Sequence, residues 1–139
     1  MRKLNFQIIL CYILWLITTT FTFYLLLLFR GFYLKIMPFI TKNILVINFV
    51  DKLLFIVFAV LALGIIMGVE NYYRKGLFRN NLLQRFLYIT GIEIFILFIF
   101  QYLPPSLYGV FPNNFQVLMG ILKLGAAIFL IYISQRKPL

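Results

Sequence analysis

The sequence predicts an all-α integral membrane protein, with four transmembrane helices arranged as two antiparallel helical hairpins in a single domain of residues 1–139. Hydrophobic residues make up 64% of the chain and charged residues only 12%, whereas a soluble domain has about 25% charged residues. The apolar residues also cluster in runs suited to helices of about 20 residues, the length that crosses a bilayer. Joining these runs leaves too little chain for a domain outside the membrane.

The first predicted span covers residues 6–29. A secretory signal peptide has a shorter apolar stretch and a small-residue cleavage site, so this run is expected to be a permanent helix. Residues 30–52 mix basic and aromatic side chains, and Pro38 is expected to interrupt any regular helix among them. A segment of this kind suits the headgroup layer of a membrane.

The second span is predicted at residues 53–69. The run 44–50 is either the start of this span or a separate interfacial helix. Residues 70–85 are the most polar stretch and are expected to lie partly as an amphipathic helix on the membrane surface, where Glu70 would pair with Arg74 one turn on.

The third span is predicted at residues 86–103, because Pro104 and Pro105 cannot continue a helix in the regular way. The joint that follows has no charged residue and ends in Asn113 and Asn114, which are typical helix-capping residues. The fourth span then covers residues 115–133.

The basic residues beside the spans predict the orientation of the chain. Four spans place eight of them on the side of the termini and four on the other: Arg2, Lys3, Arg74, Lys75, Arg79, Arg85, Arg136 and Lys137 against Arg30, Lys35, Lys42 and Lys52. Since the more basic side stays inside, both termini are predicted on the cytoplasmic face of a bacterial membrane or the matrix face of an organelle inner membrane.

Two ionisable residues lie inside predicted spans, Glu93 in the third and Lys123 in the fourth. A charge at the centre of a transmembrane helix costs about 2.5 to 3.5 kcal/mol on insertion scales, so each is expected to be paired, neutralised or hydrated. Their depths from the inner ends of the spans are about 10 Å and about 16 Å. The sequence therefore predicts a Glu93–Lys123 ion pair, which is either structural, or handles protons or ions, or is replaced by pairing with another subunit.

Small residues mark predicted sites of close helix packing. In the second span, Gly64 and Gly68 form a GxxxG pattern, which serves either subunit docking or ordinary packing within the chain. In the third and fourth spans, four more small residues lie near Glu93 and Lys123 and would let these helices approach: Gly91, Gly125, Ala126 and Ala127.

The net charge of +10 arises from 13 basic and 3 acidic residues. Because the basic residues lie between apolar runs, the expected partners are the lipid bilayer, anionic lipids and other membrane subunits or further copies of the chain, and not nucleic acid. The cluster Arg74, Lys75, Arg79 and Arg85 is either the topology determinant alone or a surface for anionic lipid or an acidic partner.

The sequence offers little for chemistry. It has no histidine, one cysteine and three carboxylates at separate locations, so no catalytic residues, metal ligands or cofactor are predicted. We expect a non-catalytic accessory or assembly subunit of a larger membrane complex, such as an energy-transducing one. The alternatives are a small oligomeric transporter or channel that uses Glu93 and Lys123, and a lipid- or quinone-binding protein.

Overall fold

The computed structural model describes residues 2–136, apart from the side chains of Arg2 and Leu4. This part of the chain is all-α, as predicted, and has no strand. Each helix is long and apolar enough to cross a membrane. The four helices are α1 Arg2–Ile40, α2 Ile44–Phe78, α3 Leu82–Leu107 and α4 Asn114–Gln135. The predicted orientation also counts Arg2 and Lys137. The structure does not describe Lys137 or the side chain of Arg2.

Helix α1 continues well beyond the predicted span and through Pro38, so the expected interruption at this proline is wrong. Pro38 lacks the N–H that would bond to the carbonyl of Leu34, but it lies in the last turn of the helix, where only one such bond is lost. The backbone bonding resumes at once, because the N–H of Thr41 donates to the carbonyl of Met37 at 3.0 Å.

Helix α2 includes residues 44–52, so this run belongs to the same continuous helix as the predicted second span. The side chain of Asn43 caps this helix by accepting a hydrogen bond from the N–H of Leu45 at 3.0 Å. At the other end, Asn80 adopts a positive φ of 53° and the N–H of Asn81 donates to the carbonyl of Gly76 at 3.1 Å. This left-handed asparagine ends the helix and turns the chain into α3.

Helix α3 passes through Pro104 and Pro105 and ends one turn later than predicted, at Leu107. As in α1, the prolines lie near the carboxyl end, where few intrahelical bonds depend on their missing N–H groups. The turn at Gly109, with φ 68°, leads to α4. A capping box between Asn113 and Gln116 starts α4, which agrees with the predicted capping asparagine.

Helix α3 is the centre of the bundle, because it packs against each of the other three helices. Sequential helices are antiparallel, whereas α1 and α3 run parallel, with Phe29 beside Phe100 at a ring separation of 5.3 Å. Within residues 2–136, α4 packs against α3 alone. The bundle is therefore a group of three helices with a fourth on one side, and much of the surface of α4 is uncovered.

Candidate functional site

The most enclosed acidic side chain is that of Glu93, in the middle of α3 and only 7% exposed. Its Oε1 lies 2.9 Å from the hydroxyl of Thr22 on the parallel helix α1. In the described part of the chain, no lysine or arginine forms an ion pair with this carboxyl group. A threonine hydroxyl is therefore the side-chain partner that the bundle provides for a buried acid.

A second polar contact lies one turn away, between Thr18 of α1 and Tyr73 of α2. Their hydroxyl oxygens are 2.8 Å apart, and Tyr73 is fully buried. Thr18 also lies 3.0 Å from the carbonyl oxygen of Leu14, and Thr22 lies 2.9 Å from that of Thr18. The two threonines, four residues apart on one face of α1, thus join α2 and α3 to α1 through polar groups.

The structure does not bring Glu93 and Lys123 together. Lys123 donates a hydrogen bond to the side-chain oxygen of Gln101 on α3. Gln101 lies eight residues beyond Glu93, which is about 12 Å along the helix. The lysine therefore extends toward the α3–α4 joint, while Glu93 faces α1, so the two charges lie at different depths and on different sides of α3.

Lys123 and Gln101 are among the residues that line a cleft of about 760 Å³ between α3 and α4. Aromatic and apolar side chains form most of its wall, among them Phe98 and Tyr102 of α3 and Phe115 and Met119 of α4. The rings of Phe98 and Tyr102 stack with their centres 4.8 Å apart. This cleft combines an apolar wall with one cation, a pattern typical of sites for amphiphilic molecules.

The small residues predicted to pack between α3 and α4 are only partly at that contact. Gly91 and Ala127 lie at the α3–α4 contact: a Cβ added at Gly91 would be 3.1 Å from the carbonyl oxygen of Ala127, which is fully buried. Gly125 and Ala126, predicted to pack there too, are exposed, and Gly125 has open space around it. The predicted close approach of α3 and α4 is therefore made by only part of the predicted set.

Gly64 and Gly68 are also exposed, and a Cβ added to either glycine would meet nothing within 4 Å. The pair lies on the face of α2 that is turned away from α1 and α3. Of the two interpretations that the sequence allows, close packing within the chain does not describe this glycine pair.

The predicted basic cluster divides in two. Arg85 is built into the α2–α3 turn: it donates to the carbonyl of Tyr72 at 2.6 Å and to the side chain of Asn81 at 3.1 Å, and its guanidinium lies 4.4 Å from the centre of the Tyr72 ring. Arg74 pairs with Glu70 at 4.0 Å, which confirms the predicted helical pair. The other members, Lys75 and Arg79, are exposed.

An ion pair that the sequence did not predict joins the carboxyl-terminal part of α1 to the amino-terminal part of α2. Arg30 donates two hydrogen bonds to Asp51, at 3.1 and 3.0 Å, and the hydroxyl of Tyr33 donates to the same carboxylate at 2.6 Å. The antiparallel hairpin brings residues 30 and 51 level with each other. Because both residues lie in a mixed polar segment, the signal was present, but the predicted interruption at Pro38 hid their alignment.

Comparison of the chain with protein-family models, curated proteins and solved structures finds no match. The geometry contains a buried acid with hydroxyl partners, a cleft with a lysine in its lining, and an outward glycine face on α2.

Proposed function

We propose that this chain is an integral membrane protein whose four helices all span the bilayer, and that it serves as a non-catalytic accessory or assembly subunit of a larger membrane complex. An energy-transducing complex is one candidate. The outward face of α2 around Gly64 and Gly68, here named the glycine face, is the proposed docking surface for a helix of another subunit.

The observation that carries this proposal is the open space at both glycines of the glycine face. In hydrocarbon, helices associate mainly by close van der Waals packing, which small residues four apart allow. A pair of glycines that packs against nothing in its own chain offers such a contact to another helix. The apolar side chains beside the pair, including Leu61 and Ile65, are more than half exposed and would extend the interface.

The proposed orientation keeps both termini on the cytoplasmic or matrix face. Arg74, Lys75 and Arg79 support it, because all three are exposed near the α2–α3 turn, where they can contact anionic headgroups at about 1 kcal/mol per basic residue. A reporter fused after Gln135 and another placed in the α3–α4 joint test the orientation. Reporters that give the same side for both positions would contradict it.

The docking proposal is tested by replacing both Gly64 and Gly68 with leucine and purifying the complex in mild detergent. The chain itself should fold, because an added Cβ meets nothing within 4 Å at either exposed position and leucine is a better helix former than glycine by roughly 1 kcal/mol. Partner subunits should be lost from the purified complex. The matched control is Gly125→Leu, an exposed glycine with open space on α4, which should retain them.

Two results would contradict the docking proposal. If the double leucine variant retains its partners in wild-type ratio, the glycine face is not the interface. If the wild-type chain is isolated only as copies of itself, and the double variant becomes monomeric, the glycine face mediates self-association and not docking to another subunit.

A small oligomeric transporter or channel is the second candidate, favoured by the buried carboxyl group of Glu93. The sequence hypothesis placed Glu93 and Lys123 on one path, but they lie on different sides of α3, so a shared path would need more than one copy of the chain. Flux measured in proteoliposomes tests this candidate. The transporter candidate requires that the purified wild-type chain transports a solute and that the Glu93→Gln variant does not. This variant preserves an oxygen acceptor for Thr22.

A further inference from the structure

The α3–α4 cleft has the dimensions of a ligand site. Its volume of about 760 Å³ lies within the roughly 300–1,000 Å³ of typical small-molecule pockets. Phe98 and Tyr102 form one wall and Phe115 and Met119 contribute to the other. The hydroxyl of Tyr102 donates to the carbonyl of Gln116 at 2.6 Å, which fixes the ring against α4. The wall is thus apolar and held in place by contacts between the two helices.

The cleft also contains a cation that the chain does not neutralise. The sequence has three acidic residues, and each is engaged elsewhere: Asp51 with Arg30, Glu70 with Arg74, and Glu93 with Thr22. Lys123 contacts the neutral amide of Gln101. No side-chain carboxylate of this chain is therefore left to pair with the lysine.

We infer that the α3–α4 cleft binds one anionic phospholipid of the surrounding membrane. The phosphate accepts hydrogen bonds from Lys123 and from the side-chain amide of Gln101, and an acyl chain lies between the aromatic side chains of α3 and those of α4. The lysine extends toward the α3–α4 joint, so the headgroup belongs to the leaflet on that side of the membrane.

The observations favour a lipid over other anions for two reasons. An inorganic phosphate would pair with the lysine but would leave the apolar wall without a contact. A lipid contacts both the lysine and the apolar wall. The cleft also opens beside α4, which no other helix of the described chain covers apart from α3. An acyl chain can therefore enter from the bilayer without any movement of the bundle.

The test measures which lipids the purified full chain retains. The chain is mixed in detergent with equal amounts of phosphatidylglycerol and phosphatidylcholine, and the lipids that stay bound are counted by native mass spectrometry after the detergent is removed. The wild-type chain should retain one phosphatidylglycerol at least fivefold more often than phosphatidylcholine. Lys123→Met should abolish this preference. The matched control is Lys52→Met, which removes an exposed lysine of α2 and should leave the preference unchanged.

A second variant tests the apolar wall of the cleft. It also tests the inference if Lys123→Met fails to fold. Met119→Trp fills the cleft while Lys123 stays in place, and it should reduce retention of both lipids at least fivefold. Circular dichroism checks that each variant remains helical. Equal retention of the two lipids by the wild-type chain, or unchanged preference in Lys123→Met, would overturn the inference.

Further arms identify the source of the anion. Excess inorganic phosphate should not displace the bound phosphatidylglycerol, and oleate should be retained less than the phospholipid. Three outcomes would show that the occupant is not a phospholipid. They are displacement by phosphate, stronger retention of oleate, and an acidic protein that stays bound through Lys123. The inference rests on the proposed membrane location but not on the glycine face, so failure of one test leaves the other intact.

Discussion

Replacing Gly91 with alanine should loosen the contact between α3 and α4. A Cβ at this position would lie 2.7 Å from Cγ1 of Ile131 and 3.1 Å from the carbonyl oxygen of Ala127. The Ile131 methylene group can move by a change of rotamer, but the carbonyl oxygen belongs to the helix backbone. The new methyl group therefore forces the two helices apart.

The size of the effect follows from two opposing contributions. Overpacking costs about 1 to 3 kcal/mol, while the change from glycine to alanine favours the helix by about 0.8 to 1 kcal/mol. The net change for Gly91→Ala is thus about 0 to 2 kcal/mol of destabilisation. Gly125→Ala lies on α4 with open space around it, so only the favourable contribution applies there.

The comparison of the two variants isolates the packing cost, because both carry the same change of helix propensity. Unfolding of the purified chain in mixed micelles, titrated with a denaturing detergent, should show Gly91→Ala less stable than Gly125→Ala by about 1 to 3 kcal/mol. Equal stability of the two variants would refute the close crossing at Gly91. Gly91→Leu adds more volume and should be less stable still.

Two other contacts yield predictions for the same unfolding assay. Tyr73→Phe removes the buried hydroxyl that contacts Thr18 and should cost about 1 kcal/mol, whereas Tyr12→Phe, at a 44% exposed position, should change nothing; equal effects of both would contradict the role of the buried contact. Arg30→Gln and Asp51→Asn should each destabilise the α1–α2 hairpin, and the double variant should lose less than the two single losses together. Additive losses would show that the ion pair does not couple the helices.

The number and order of the helices were predictable because hydrocarbon imposes a minimum length on each apolar run. The ends were less predictable. Pro38, Pro104 and Pro105 were expected to stop helices, yet all three lie inside them. A proline removes one backbone donor, and its effect depends on how many bonds remain beyond it, which the residue type alone does not state.

The predicted pairing of Glu93 with Lys123 failed for a different physical reason. Depth along a helix follows directly from residue number, but the direction that a side chain faces requires a contrast between a polar and an apolar face. Helices surrounded by lipid are apolar on nearly all sides, so this contrast is weak. The same limitation explains why Gly64 and Gly68 could not be assigned to an inner or an outer face from the sequence.

Polar residues join the three helices of the main group. Helices α1, α2 and α3 are joined by directional contacts: Thr18 with Tyr73, Thr22 with Glu93, and the indole N–H of Trp15 with the carbonyl of Ile66 at 3.1 Å. Such contacts specify one arrangement, because a polar group buried between helices would lose its partner in another arrangement.

Helix α4 packs closely on α3 at Gly91 and Ala127 and where the Tyr102 ring meets Gly120, at which an added Cβ would lie 3.0 Å from the ring. Hydrogen bonds from Tyr102 to the carbonyl of Gln116 and from Gln84 to the carbonyl of Arg136 also join the two helices. The lysine of α4 contacts only a neutral amide within the described chain. The three-helix group thus supplies most of its own polar partners, while α4 presents a cation and an open cleft. We therefore propose that contacts from outside the chain complete two places, the α3–α4 cleft through a lipid and the glycine face of α2 through a helix of another subunit.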